Sequence, residues 1–294
     1  MPRKEEIISR IRSVPPLSHT ARQIMAIVCD SGDSAGKLAR VIETDAALTA
    51  RVLTIVNASE LFRINPITTI AAAMAVLGDK IMLGIALDYC TDGLMHKPLD
   101  GYRAEQGKLW EHNLLTAIAA KVLAGMSPMN VNPDEAFTGG ILHDIGKSVL
   151  SEFLKGSTED MIVEIDRGVL TDYLEVEEEK LGTNHCIIGA AMATMWKLPS
   201  PLPEIIRYHH HRLAAEETYR SIIYAVHLGD VIAMMKGIGT GCDSMCYHLE
   251  SGHKELLGIR RDQFPAIMIR VDEEFQRIKA CVNGGAGNAQ NIDR

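Results

Sequence analysis

Seven side chains in the second half of the sequence are of the types that hold transition metals: His112, His143, Asp144, His185, His209, His210 and Asp230. Imidazole and carboxylate together suit ions such as Zn, Fe, Mn or Ni, whereas thiolate-rich sites select other chemistry. Singly each is a weak sign, because a lone histidine near an apolar face is usually just hydrogen-bonded. His143-Asp144 is set apart by its surroundings. The pair interrupts an apolar run between Leu142 and Ile145, and a buried carboxylate needs a cation or donors to stay charged. Lys147 follows His143 by four residues, on the same helical face, where it could meet an anion beside a metal. Consecutive helical side chains point about 100° apart, so His209 and His210 could grip one ion from two sides. One aspartate can bridge two ions about 3.5 to 4 Å apart, and such pairs activate water for attack at phosphorus. His211 extends the pair and is a further candidate ligand. His227, three residues before Asp230, reads as a satisfied core histidine or a hydrogen-bond partner of a ligand. Glu178 or Glu179 could approach the site from the turn before His185, although the acidic run from Glu175 reads first as a solvated helix face.

These residues need rigid elements to bring them together, and the periodicity is helical throughout. Leu48, Val52 and Val56 share one helix face behind a capping Asp45, and Ser34 or Asp33 could cap the helix before it. A helix from Ile70 ends at Gly78. Phe137, Ile141, Ile145 and Val149 recur every four residues, which predicts one amphipathic helix from Glu135 to about Leu154. Further helices are expected near 109–123, 159–166, 171–181, 185–196, 201–212, 218–236 and 262–282. Residues 237–254 are Gly-rich and give no clear pattern. No stretch alternates with period two, so no strand is expected. The fold class is therefore all-α and bilobal. Residues 1–95 form an N-terminal helical lobe without metal ligands, 105–282 a helical domain with the metal site, and 283–294 a disordered tail.

The balance of 47% hydrophobic and 23% charged residues is that of a globular protein, and with aromatics at 5% the core must be aliphatic. A net charge of −8 argues against broad binding to nucleic acid or anionic membranes. No run approaches the roughly 18 to 20 apolar residues of a membrane span, and the charged N-terminus lacks an apolar signal core. A cytoplasmic location follows, in which the six cysteines read as buried thiols.

The order His…His-Asp…His…His-His…Asp on helical sequence resembles the HD superfamily of metal-dependent phosphohydrolases, and its seven positions resemble the ligand set of the HD-GYP cyclic di-GMP phosphodiesterases. That resemblance implies His112, His143, Asp144 and Asp230 around one ion. It implies His185, His209 and His210 around a second, with Asp144 bridging. Lys147, in His143-Asp144-Ile145-Gly146-Lys147, matches a lysine that faces phosphate in those enzymes, so Lys147 and Asp144 are the expected catalytic residues if the chain is an enzyme. Pro15-Pro16-Leu17, Val41 to Thr49, Asn57-Ala58-Ser59, Trp110-Glu111-His112 and Trp196-Lys197-Leu198-Pro199 narrow the likeness to HDOD domains, over about residues 7–235. Membership implies a bacterial signal-transduction module with one or two transition-metal ions (Fe, Mn, Zn or Ni), and signalling proteins or a nucleotide second messenger as partners. After His210 the chain reads His211-Arg212-Leu213-Ala214 in place of the Gly-Tyr-Pro loop, which turns the expectation from hydrolysis toward regulation.

Overall fold

The computed structural model describes residues 2–28, 34–57, 66–91, 93–156, 172–243, 247 and 252–283. Among these the chain is all-α, with an isolated bridge between Leu99 and Ala104 and no strand. It divides into two compact units, Leu17–Asp92 with Ile269–Arg294, and Gly93–Met268 with Met1–Pro16. The chain ends thus belong to the units opposite to those that linear order implies. The helix expected at 159–166, Asp33, and the tail beyond Asn283 lie outside the described residues.

In the smaller unit, helices α2 (His19–Val28), α3 (Ser34–Thr44), α4 (Ala46–Asn57) and α5 (Ile70–Cys90) bury Ile24, Ile42, Leu48, Val52 and Leu77. Asp45 caps α4 as its position predicts, accepting from the backbone N–H of Ala47 and Leu48 at 3.1 Å each. Gly78 has φ +80°, left-handed backbone that costs glycine little; the helical path breaks there, as its position predicts, and a second helical stretch at 104° to the first runs on to Cys90. No single helix among the described residues is long and apolar enough to cross a membrane.

The larger unit is built on α6 (Lys108–Met126), buried nearly all round, as a helix enclosed by others must be. Packed on it are α7 (Pro133–Leu142) and α12 (Arg220–Met235). Gly229 lets α12 close on α6, since a Cβ there would stand 2.7 Å from Thr116 O. The helix expected across Glu135–Leu154 is two helices, α7 and α8 (Lys147–Leu154). His143–Gly146 between them make i→i+3 turns, such as Lys147 N–H to Asp144 O at 3.0 Å, while Ile145 stays buried. The four-residue apolar stripe survives because a 3₁₀-like turn displaces phase little. The remaining elements are α9 (Tyr173–Leu181), α10 (His185–Met195), α11 (Leu202–Tyr208), α13 (His253–Leu257) and the start of α14 (Phe264–Asn283). Helix α1 (Pro2–Arg12) packs on α8 and α10, with Ile7 and Ile11 buried. Arg10 forks onto Glu152 at 2.9 and 3.0 Å, and Trp196 Nε1 donates to Pro15 O at 3.1 Å.

Candidate metal centre

The seven candidate ligands come from five places in the larger unit. His112 lies one turn into α6, and Asp230 on α12 faces it with Oδ1 3.0 Å from His112 Nε2. His143 and Asp144 occupy the turn between α7 and α8. His185 opens α10 behind Asn184, whose side chain caps the helix through Ile187 N–H at 2.9 Å. His209 and His210 sit in the turn after α11, not within a longer helix. Gly146 allows the assembly, because a Cβ there would lie 2.0 Å from His185 O and 2.7 Å from Gly189 N.

Asp144 is the hub. Its Oδ2 lies 3.6 Å from Nε2 of both His112 and His143, and its Oδ1 lies 3.3 Å from His185 Nε2 and 3.6 Å from His209 Nε2. Donors held at about 2.0 to 2.2 Å from one ion stand roughly 3.0 to 3.5 Å from each other, so this spacing fits a shared ion on each side. The donors form two close groups, His112 with His143 and Asp144, and His185 with Cys186, His209 and His210. All seven candidates are buried, none more than 4% exposed.

The hydrogen bonds fix the histidine tautomers. Nδ1 of His112, His143 and His209 faces the carbonyl oxygens of Ile238, Gly140 and Ile206 at 2.8, 2.8 and 2.9 Å. Nδ1 of His185 faces the Glu177 carboxylate at 2.8 Å. Those oxygens only accept, so each Nδ1 carries a proton and each Nε2 is turned into the centre. While His112 Nε2 has Asp230 alone within hydrogen-bonding distance, the Nε2 atoms of His143 and His185 and both ring nitrogens of His210 have no hydrogen-bond partner. Apart from the Lys147 ion pair at 2.6 Å, neither do the Asp144 oxygens. Ring nitrogens and carboxylate oxygens therefore crowd together in a buried site, which is unfavourable without cations or protons between them. Burial opposes charge on Asp144, but Lys147 and the histidines hold its carboxyl well below the usual range. Burial likewise opposes charge on Asp230, yet the His112 contact brings its pKa down to about 2. His143 is pushed down to about 3 by burial and stays neutral.

Lys147, expected to face an anion, is buried and engaged on several sides. Its Nζ lies 2.6 Å from both Asp144 Oδ2 and Asp243 Oδ2 and donates to Thr240 Oγ1 at 3.0 Å. Tyr247 donates to Asp243 at 2.8 Å, and its ring stacks on His210 with centroids 4.1 Å apart. The stretch from Ile238 to Asp243 thus orients His112 and occupies Lys147, though its sequence gave no periodic signal. Glu177, and not Glu178 or Glu179, supports His185. It accepts from the His185 backbone N–H at 2.7 Å and from Tyr102 Oη at 2.6 Å, while Glu178 binds Asn184 and Glu179 is exposed. Helix phase explains the one-residue slip. Cys186, read only as a buried thiol, lies 3.9 Å from His209 Nε2, and its place beside His185 was the available signal. His211 is exposed and outside the cluster, and His227 is buried with its pKa lowered to about 4 by burial. Cys90 is buried and Cys242 half-buried, and neither is in a disulfide.

Residues 14–212 match the HDOD domain. Among solved structures, a protein from Marinobacter aquaeolei VT8 provisionally assigned to signal transduction is 20% identical with a TM-score of 0.73, covering 97% of this chain and 65% of its own. An HDOD domain protein of unknown function from Geobacter sulfurreducens is 23% identical with a TM-score of 0.66 over 96% of both chains. A protein from Shewanella amazonensis SB2B, provisionally described as a phosphohydrolase, gives 21% and 0.64 over 95% of this chain and 97% of its own. These likenesses establish a shared fold. An uncharacterized protein of Treponema pallidum (strain Nichols) is 25% identical over 75% of this chain, which spans only 42% of that relative's length. With a match over most of its length, on an all-α frame that gathers the histidines and aspartates, this chain belongs to the HDOD family.

Proposed function

We propose that the chain is a regulatory module of signal transduction whose larger unit holds one or two transition-metal ions. In this reading His112, His143, Asp230 and the Oδ2 side of Asp144 hold one ion. His185, His209 and His210 hold the second with Oδ1. The observation that carries it is the division of Asp144, whose two oxygens each face a pair of buried Nε2 atoms. The partners are signalling proteins or a nucleotide second messenger. Elemental analysis of the full chain after reconstitution with iron(II), manganese(II), zinc(II) or nickel(II) tests the reading. One or two equivalents retained through desalting are expected, and retention of none with any of the four metals would overturn it.

The complete donor set also supports a second reading, a metal-dependent phosphohydrolase on a nucleotide or cyclic nucleotide. Bound ions would supply Lewis-acid activation of water for attack at phosphorus. Asp144 would position them, and Lys147 would have to leave Asp243 and Thr240 before it could neutralise a phosphate. Because every donor is buried and Lys147 is already paired, slow or no turnover of cyclic di-GMP is expected. Turnover at roughly 1 per second or faster, abolished by His143→Ala, would put the phosphohydrolase first.

A further inference from the structure

The two groups of donors differ in charge. On one side His112 and His143 are joined by Asp230 as well as by the shared Asp144. On the other, His185, His209 and His210 are joined by Asp144 Oδ1, and among the described residues no second carboxylate reaches in. Glu177 stands behind His185, at Nδ1 and at the backbone N–H, and so lies outside the centre. A divalent ion away from water needs anionic donors close to it. Cys186 is placed to supply one. It follows His185 on α10, is 3% exposed, and has its Sγ 3.9 Å from His209 Nε2. The sulfur and one donor atom from each of His185, His209 and His210 all lie within 4.8 Å of one another. Sulfur at about 2.3 Å and nitrogen at about 2.0 to 2.1 Å from one tetrahedral ion stand roughly 3.5 Å apart, so Cys186 and His209 need close by only a few tenths of an ångström. A buried cysteine ordinarily packs as a small apolar side chain. Here its neighbours are imidazoles, and both ring nitrogens of His210 and Nε2 of His185 are buried without a hydrogen-bond partner.

We propose, on the footing that the centre binds metal as read above, that Cys186 is a thiolate donor to the ion on the His185 side. Binding breaks the S–H bond, the sulfur keeps the electron pair and gives it to the ion, and the proton passes to solvent. Each ion then has two anionic side chains, Asp144 with Asp230 on one side and Asp144 with Cys186 on the other. The halves also differ in softness. A site with a thiolate favours zinc, whereas carboxylates and imidazoles alone also suit iron and manganese, so the centre is built to hold two different metals.

Reconstitution of the full chain with cobalt(II), followed by desalting, tests the proposal. Thiolate-to-cobalt(II) charge transfer absorbs in the near ultraviolet, where imidazole and carboxylate complexes give no comparable band. The parent is expected to show the band, and Cys186→Ser and Cys186→Ala to lack it. Replacement of the other five cysteines by alanine should leave it in place. X-ray absorption of the zinc-loaded parent should place one sulfur at about 2.3 Å from zinc. Loss of even an outer partner of a ligand costs roughly 10- to 100-fold in metal affinity, so Cys186→Ala should weaken zinc by at least tenfold, and manganese by less. Cobalt retained by the parent without the band, or a band that survives in Cys186→Ala, overturns the thiolate assignment and leaves the metal reading standing. Retention of no metal by the parent overturns both.

Discussion

Asp144→Asn probes the centre with little change of shape. The parent carboxylate offers one oxygen to His185 and His209 and the other to His112 and His143, at 3.3 to 3.6 Å. An amide places an NH2 group on one of those sides, and that nitrogen has no lone pair for an ion. In metal-free protein Lys147 keeps Asp243 at 2.6 Å. The intrinsic loss should therefore stay below the roughly 3 to 5 kcal/mol that follows when a buried charge loses its partner. The metal-dependent part is separable. Free metal at a hundred times its Kd stabilises the folded state by about 2.7 kcal/mol, or about 5 to 11 °C in Tm for a unit of this size. Differential scanning fluorimetry of parent and variant, each with metal and with chelator, reads that difference directly. The parent should gain those degrees on loading, and Asp144→Asn little or nothing, with matching elemental analysis. A variant that binds the parental number of ions and gains the same degrees would refute the bridging assignment.

Gly146→Ala puts a Cβ 2.0 Å from His185 O, so α8 and α10 must separate; a loss of about 3 kcal/mol or more is expected in urea denaturation, with weaker metal retention. Deleting residues 1–16 removes no candidate ligand but uncovers the surface that Ile7 and Ile11 bury, so Tm should fall while metal per folded molecule is unchanged. In metal-free protein burial opposes charge on His209, but Cys186 and Asp144 raise its pKa to about 9. The stability this group contributes is full below its ordinary value near 6.5 and is lost as pH rises through about 9, a decline that metal loading should abolish. Loading near pH 7 should accordingly release about one to three protons, measurable with an indicator dye in weak buffer.

The sequence by itself determined the helical class, because apolar spacing and caps such as Asp45 act within a turn or two and require no distant partner. It also singled out the donor residues, since imidazoles and carboxylates placed in apolar helices lack a cheap explanation. Tertiary packing decided what each donor meets. The division of Asp144 between two histidine pairs depends on the close approach at Gly146 and on a turn that breaks the expected helix at His143. The supporting residues were hidden for a related reason. Glu177, Thr240, Asp243 and Tyr247 reach the centre across 8 to 96 positions of sequence, and a polar residue's partner at such range leaves no local pattern. The Ile238–Asp243 stretch has no periodicity because carbonyls and side chains that clasp His112 and Lys147 do not need to form one face of a helix. The placement of residues 1–16 with the larger unit was likewise a matter of which apolar surface Ile7 and Ile11 could cover, and chain order carries no information about that.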